Sequence, residues 1–189
     1  MLKKIFLFIL LFTRIQLYSQ ANICDLYYSE SNEIYSVNKK DIICLSKNTS
    51  KDKTLIFTFG IWCSPCRLHL PNAIKLSKEY KMNFYVLLIE KEENEIVKST
   101  INYLKKIKPD IKILILKDDY GKRRNKKYKE FLSEITPSKF ENINGMSKYI
   151  IIDKKGEVIM VTNWKDNRDN DWKDDTKMIE KTIIPILKK

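Results

Sequence analysis

Cys63 and Cys66 stand two residues apart in the string Trp62-Cys63-Ser64-Pro65-Cys66-Arg67. At that spacing, at the start of a helix, two thiols can close a disulfide with little backbone movement. The pair could exchange electrons with other disulfides, supply half of a zinc site, or stand as a static disulfide in a binding module. A zinc site needs two more Cys or His ligands, and Cys24, Cys44 and His69 do not form a second close pair. No metal and no other cofactor is therefore expected, and position along the chain favours redox chemistry.

The β-branched and aromatic run Leu55-Ile56-Phe57-Thr58-Phe59 predicts a central strand, ended by Gly60. A helix is expected to begin close to Cys63 and run to about Lys81, with Leu70, Ala73, Ile74 and Leu76 inward and Pro71 as a kink. At such a helix start, unsatisfied amides and the dipole favour a thiolate on Cys63, the attacking species. Cys66, one turn in, is the expected resolving thiol. Pro65 sits where a missing amide hydrogen costs little, and Trp62 is expected to flank the site as an apolar contact surface.

Phe84 to Ile89 and Ile111 to Leu116 read as further strands, with helices over about 92–106 and 123–134. Tyr149 to Ile152 and Val158 to Val161, joined by Asp153-Lys154-Lys155-Gly156, predict a β-hairpin. Met178, Ile179, Ile183, Ile184 and Leu187 mark a terminal helix made irregular by Pro185. Ile42, Ile43 and Leu45 suggest one more strand upstream. Strands alternating with helices imply an α/β domain whose mixed sheet is covered on both faces.

Taken together, these residues resemble the thioredoxin-like superfamily and, within it, the exported TlpA/ResA-type thiol–disulfide oxidoreductases. The marks are the strand Leu55 to Phe59, the Trp62 to Arg67 string, Pro71, and Gly145…Tyr149-Ile150-Ile151-Ile152-Asp153…Gly156. The resemblance implies a thioredoxin-like three-layer α/β/α sandwich with an N-terminal extension. It also implies an enzyme that reduces protein disulfides outside the cytoplasm, those of apocytochromes c among them, and is recharged by a membrane or periplasmic electron donor. A disulfide oxidase or isomerase of the same fold is the alternative.

The chain departs from that family at three places. Where relatives carry a cis-proline facing the dithiol, this chain has Ser147 after Met146. A cis Met146–Ser147 bond would cost roughly 2.5–4 kcal/mol, so the loop is either trans and reshaped or held cis by its surroundings. These two residues, with Trp62, Ser64, Pro65 and His69, are the expected supporting or substrate-contacting set. Second, His69 replaces the acid that relatives place three residues after the second cysteine. That spacing puts it on the face of Cys66, as a proton acceptor, a charge stabiliser or a packing residue. Third, Phe57 replaces the aspartate that cytoplasmic thioredoxins bury, leaving Glu90 as a weak alternative base that reads as a solvated loop residue.

The first 20 residues read as a signal peptide: Lys3 and Lys4, eight apolar residues from Ile5 to Phe12, then a polar turn near Gln20. Export to the periplasm or its equivalent is expected, with membrane association if the segment stays uncleaved. Residues 21–52 then form the extension and 53–189 the thioredoxin-like domain. In an oxidising compartment Cys24 and Cys44 are a candidate structural disulfide, worth on the order of 3 kcal/mol by loop closure; the alternative is two free thiols.

Formal charge is +12, and loss of Lys3, Lys4 and Arg14 with the signal would lower it to +9. The run Lys122, Arg123, Arg124, Lys126, Lys127 reads chiefly as solvated surface. Export and the lack of basic–aromatic stacking patterns argue against nucleic acid. The Asp/Asn-rich stretch around Trp164 and Trp172 lacks the order of a calcium loop and reads as a surface cap. A monomer is expected.

Overall fold

Apolar residues fill consecutive positions along the middle strands, so successive side chains alternate between two buried faces. Leu55, Phe57, Val86, Leu88, Ile113, Ile115, Tyr149 and Ile151 enter one core, whereas Ile56, Tyr85, Leu87, Leu114, Leu116, Ile150 and Ile152 enter the other. The computed structural model describes residues 24–30, 32–168 and 171–188; the predicted signal segment lies outside them.

Among the described residues, seven strands form one mixed sheet: β1 (Tyr27–Ser29), β2 (Ile34–Val37), β3 (Lys53–Thr58), β4 (Asn83–Leu88), β5 (Lys112–Leu116), β6 (Tyr149–Asp153) and β7 (Val158–Val161), in the order β1-β2-β5-β4-β3-β6-β7. The run β2-β5-β4-β3 is parallel; β6, β7 and β1 are antiparallel to their neighbours. Helices α2 (Ser64–Glu79) and α3 (Glu95–Ile107) and the C-terminal helical segment cover the first face; α1 (Lys39–Lys47) and α4 (Arg124–Ile135) cover the second. This is the three-layer thioredoxin-like arrangement that the resemblance predicts. Among the described residues no helix is long and apolar enough to cross a membrane.

One element differs in type from the expectation. Ile42, Ile43 and Leu45 lie in helix α1, not in a strand. The deciding signal is a capping box: the Asn38 side chain accepts from the Asp41 amide at 3.1 Å, and the Asp41 carboxylate accepts from the Asn38 amide at 2.8 Å. Three apolar residues in so short a window fit either period, and the cap selects the helix. Residues 27–37 add strands β1 and β2 to the same sheet as the rest of the chain.

The C-terminal segment is broken into Thr176–Met178, a wide π turn at Ile179–Ile183, and Ile184–Leu187. Pro185 offers no amide hydrogen, and the wide turn lies just before it.

Candidate active site

Strand β3 and the turn at Gly60 deliver Cys63 to the N-cap position of α2, with Ser64 and Pro65 opening the helix. Cys63 and Cys66 are joined as a disulfide with Cα atoms 5.2 Å apart. The Cys63 Sγ also accepts a hydrogen bond from the Cys66 amide at 3.2 Å. Cys63 retains 8% exposure and Cys66 none, so an incoming reagent meets Cys63 first. A thiolate released at Cys63 inherits that amide donor and the positive end of a sixteen-residue helix.

Trp62 forms a platform beside the disulfide. Its indole folds so closely over Gly60 that a Cβ there would lie 2.7 Å from the ring, which excludes any larger residue without moving the indole. The indole N–H donates to Glu90 Oε1 at 2.6 Å, and the Arg124 guanidinium lies 4.3 Å from the ring centroid. The ring is still 41% exposed. Arg67 reaches back to the Ile61 carbonyl and to Ser64 Oγ, tying the turn to the helix. Glu90 is therefore not a solvated loop residue. It is buried, accepts from the Trp62 indole and the Ile89 amide, and has the Trp62 ring as its working partner.

The basic run is likewise not uniformly solvated. Arg124 stacks on Trp62, and Lys127 is fully buried, donating to the carbonyls of Glu90 and Leu116 at 3.0 Å and to Asp118 at 2.8 Å.

The loop that replaces the family's proline is trans, since no cis peptide occurs among the described residues. Ser147 instead adopts φ +65°, a left-handed conformation that costs a non-glycine residue on the order of 1–2 kcal/mol. Its amide donates to the Thr58 carbonyl at 3.2 Å, and the Lys148 amide donates to Thr58 Oγ1 at 2.9 Å. Tyr128 donates to the Gly145 carbonyl at 2.8 Å, and Met146 packs against the core that contains both site cysteines.

His69 provides the other tie. The i, i+3 spacing predicts an approach to Cys66, but both imidazole nitrogens are taken up elsewhere. Nδ1 lies 2.8 Å from Ser147 Oγ, and Nε2 lies 3.0 Å from the Trp172 carbonyl. A carbonyl only accepts, so Nε2 carries a hydrogen and donates to Trp172, while Nδ1 shares a hydrogen bond with the Ser147 hydroxyl. Asp175 Oδ2 lies 3.6 Å from Nδ1.

Asp175 is fully buried and completes a network that sequence reasoning missed. It accepts from Tyr149 Oη at 2.5 Å and from Asn72 Nδ2 at 2.7 Å. Burial, then the nearby Asp175 charge, pushes the Tyr149 hydroxyl well above the usual phenol range. Where cytoplasmic thioredoxins place an acid in β3, Phe57 packs edge-on against Tyr149 with centroids 5.1 Å apart. The buried carboxylate behind α2 comes instead from the C-terminal segment. One signal was available: a tyrosine inside an isoleucine run needs a partner for its hydroxyl.

Lys148, next to Ser147, is buried with its ammonium on the Thr162 carbonyl at 2.9 Å. Burial lowers this group to about 8, with Asp166 acting in the opposite direction. The unfolded chain holds that proton to about 10.5, so between these limits it binds more protons than the folded protein. Stability therefore rises with pH across that window. The expected result is that wild type gains on the order of 2 kcal/mol relative to Lys148→Met between pH 8 and 10, measured by urea unfolding. Parallel curves would show that Lys148 does not titrate there. The raised tyrosines act in both proteins alike and cancel.

Cys24 and Cys44 form the second disulfide, with Cα atoms 5.8 Å apart, and Asn48 Nδ2 lies 3.3 Å from Cys44 Sγ. Trp164 and Trp172 are exposed, and a capping box between Asn163 and Asp166 orders the turn that begins at Trp164.

No curated protein sequence matches the chain. Among solved structures, it is similar to a thioredoxin-like protein in the oxidised form, with 15% identity, a TM-score of 0.47, and coverage of 81% of this chain and 85% of that one. It is similar also to a thio-disulfide isomerase from Thermus thermophilus, with 18% identity, a TM-score of 0.41 and coverage of 60% and 69%. A thiol:disulfide interchange protein from Chlorobium tepidum gives 16% identity, a TM-score of 0.40 and coverage of 59% and 68%. The Redoxin family model matches residues 39–179, from α1 through the sheet to the C-terminal helical segment, and the chain belongs to that family.

Proposed function

We propose that this protein is a thiol–disulfide oxidoreductase that reduces disulfides of other proteins outside the cytoplasm, with Cys63 as nucleophile and Cys66 as resolving thiol. The observation that carries the reading is the Cys63–Cys66 disulfide at the start of α2, of whose two residues only Cys63 reaches solvent, beside the exposed Trp62.

In the reduced protein, the Cys63 thiolate attacks one sulfur of a substrate disulfide. That S–S bond breaks, a mixed disulfide forms on Cys63, and the departing thiolate takes a proton from solvent. Cys66, as thiolate, then attacks the Cys63 sulfur; the mixed disulfide breaks, and the second substrate thiolate leaves. The substrate gains two electrons and the Cys63/Cys66 pair loses them. An external dithiol, supplied by a membrane or periplasmic donor, restores the reduced state.

The second disulfide, Cys24–Cys44, supports an oxidising compartment. The reducing direction follows the resemblance to TlpA/ResA-type proteins. Two measurements test the reading. The reduced protein should convert hydroxyethyl disulfide to thiol in a coupled assay, and equilibration with glutathione should place the pair on the reducing side of the glutathione couple. A potential well on the oxidising side would replace reductase by oxidase. No exchange with either disulfide would leave only a structural cross-link.

A further inference from the structure

A groove of about 690 Å³ opens beside the Trp62 platform, between the start of α3 and the start of α4. Its cationic lining is Lys91, Lys122, Arg123, Arg124 and Lys126, all exposed. The single carboxylate in its wall is Glu90, buried and committed to the Trp62 indole. None of the five cations forms an ion pair among the described residues, whereas Lys105, Lys117, Lys127 and Lys165 elsewhere do. Arg124 links groove to site directly, because its guanidinium lies over the Trp62 ring and Trp62 precedes Cys63.

We infer that this groove is a docking surface for an acidic peptide segment of the substrate protein, lying next to the disulfide to be reduced. The inference rests on the oxidoreductase reading and adds a substrate class to it. Five unpaired cations with no opposing free carboxylate attract a chain of Asp and Glu side chains. The exposed indole supplies an apolar surface where that chain passes toward Cys63. Charge complementarity of this kind selects partners and speeds encounter, and salt weakens it as the Debye length shrinks to a few ångströms.

Two synthetic peptide disulfides, identical except for glutamates or lysines flanking the cysteine, provide the test. At low ionic strength the reduced wild-type protein should reduce the glutamate peptide with kcat/KM about tenfold above the lysine peptide. In about 0.5 M sodium chloride the ratio should fall toward unity. In the variant Lys122→Glu/Arg123→Glu/Lys126→Glu, which keeps Arg124 on Trp62, the low-salt preference should vanish or invert. Equal kcat/KM for the two peptides in wild type would overturn the groove while leaving the oxidoreductase reading intact. Cysteine-free versions of the peptides, followed by fluorescence anisotropy, report docking without turnover. Tighter binding of the glutamate peptide supports the groove even if hydroxyethyl disulfide is not reduced, and equal binding overturns it in either case.

Discussion

Cys63→Ser is expected to reduce hydroxyethyl disulfide no faster than the uncatalysed background, while Cys66→Ala accumulates a covalent adduct on Cys63. The asymmetry follows from where the two sulfurs sit. Cys63 alone meets solvent, and it occupies the N-cap with the Cys66 amide 3.2 Å from its sulfur. A serine there keeps a hydrogen-bond acceptor but not a nucleophile, since its hydroxyl stays protonated with no base to activate it. Cys66 is sealed from solvent and reaches only the sulfur one turn ahead of it. Without it, the first exchange proceeds and the second does not. Intact-mass measurement after incubation with hydroxyethyl disulfide should show one mercaptoethanol adduct on Cys66→Ala, mapped to Cys63 by peptide digestion. An adduct on Cys66 in Cys63→Ser, formed at a similar rate, would reverse the two roles.

Asp175→Ala should destabilise the fold by about 3 kcal/mol, a large fraction of the stability of a domain this size. The carboxylate is fully buried and accepts from Tyr149 and Asn72, with the His69 ring beside it. Truncation leaves the phenol and amide donors without their acceptor in a dry interior. Asp175→Asn, which retains one carbonyl oxygen, should lose less. Urea unfolding of both variants, with a double-mutant cycle against Tyr149→Phe, isolates the bond. A coupling above about 1 kcal/mol is expected, and additivity would mean that the network contributes nothing beyond packing. The same network reaches the loop at 145–148, because His69 holds Ser147 Oγ.

How much of this could be read beforehand depends on how far apart in sequence the partners lie. The dithiol was legible because strand, glycine, Trp-Cys-x-x-Cys and helix are contiguous, so local pattern alone sets their order. The central strands were legible for a related reason: runs such as Ile113-Leu114-Ile115-Leu116 are apolar on both faces and fit a sheet buried between helix layers. Asp175 was not. It stands in an Asp-rich stretch where every acid looks solvated, and its partners Asn72 and Tyr149 are 103 and 26 positions away. Glu90 and Lys127 were misjudged by composition, since charged residues are seldom fully buried unless paired, and their pairing partners are tertiary. Helical spacing suggests Cys66 as the neighbour of His69, but its hydrogen-bond partners belong to a loop and a segment that only the fold brings near.

Strand β5, Lys112–Leu116, is four-fifths aliphatic, and it owes its second neighbour to β2. Remove residues 27–37 and the row of amides and carbonyls on that side would lie bare beside Ile-Leu-Ile-Leu, an inviting template for another copy of the same strand. With the N-terminal ribbon in place, the sheet ends on the three-residue β1, too short to recruit a stranger. Residues 27–37 thus cover the edge that β5 would otherwise present, and the Cys24–Cys44 bond ties the start of that cover to α1.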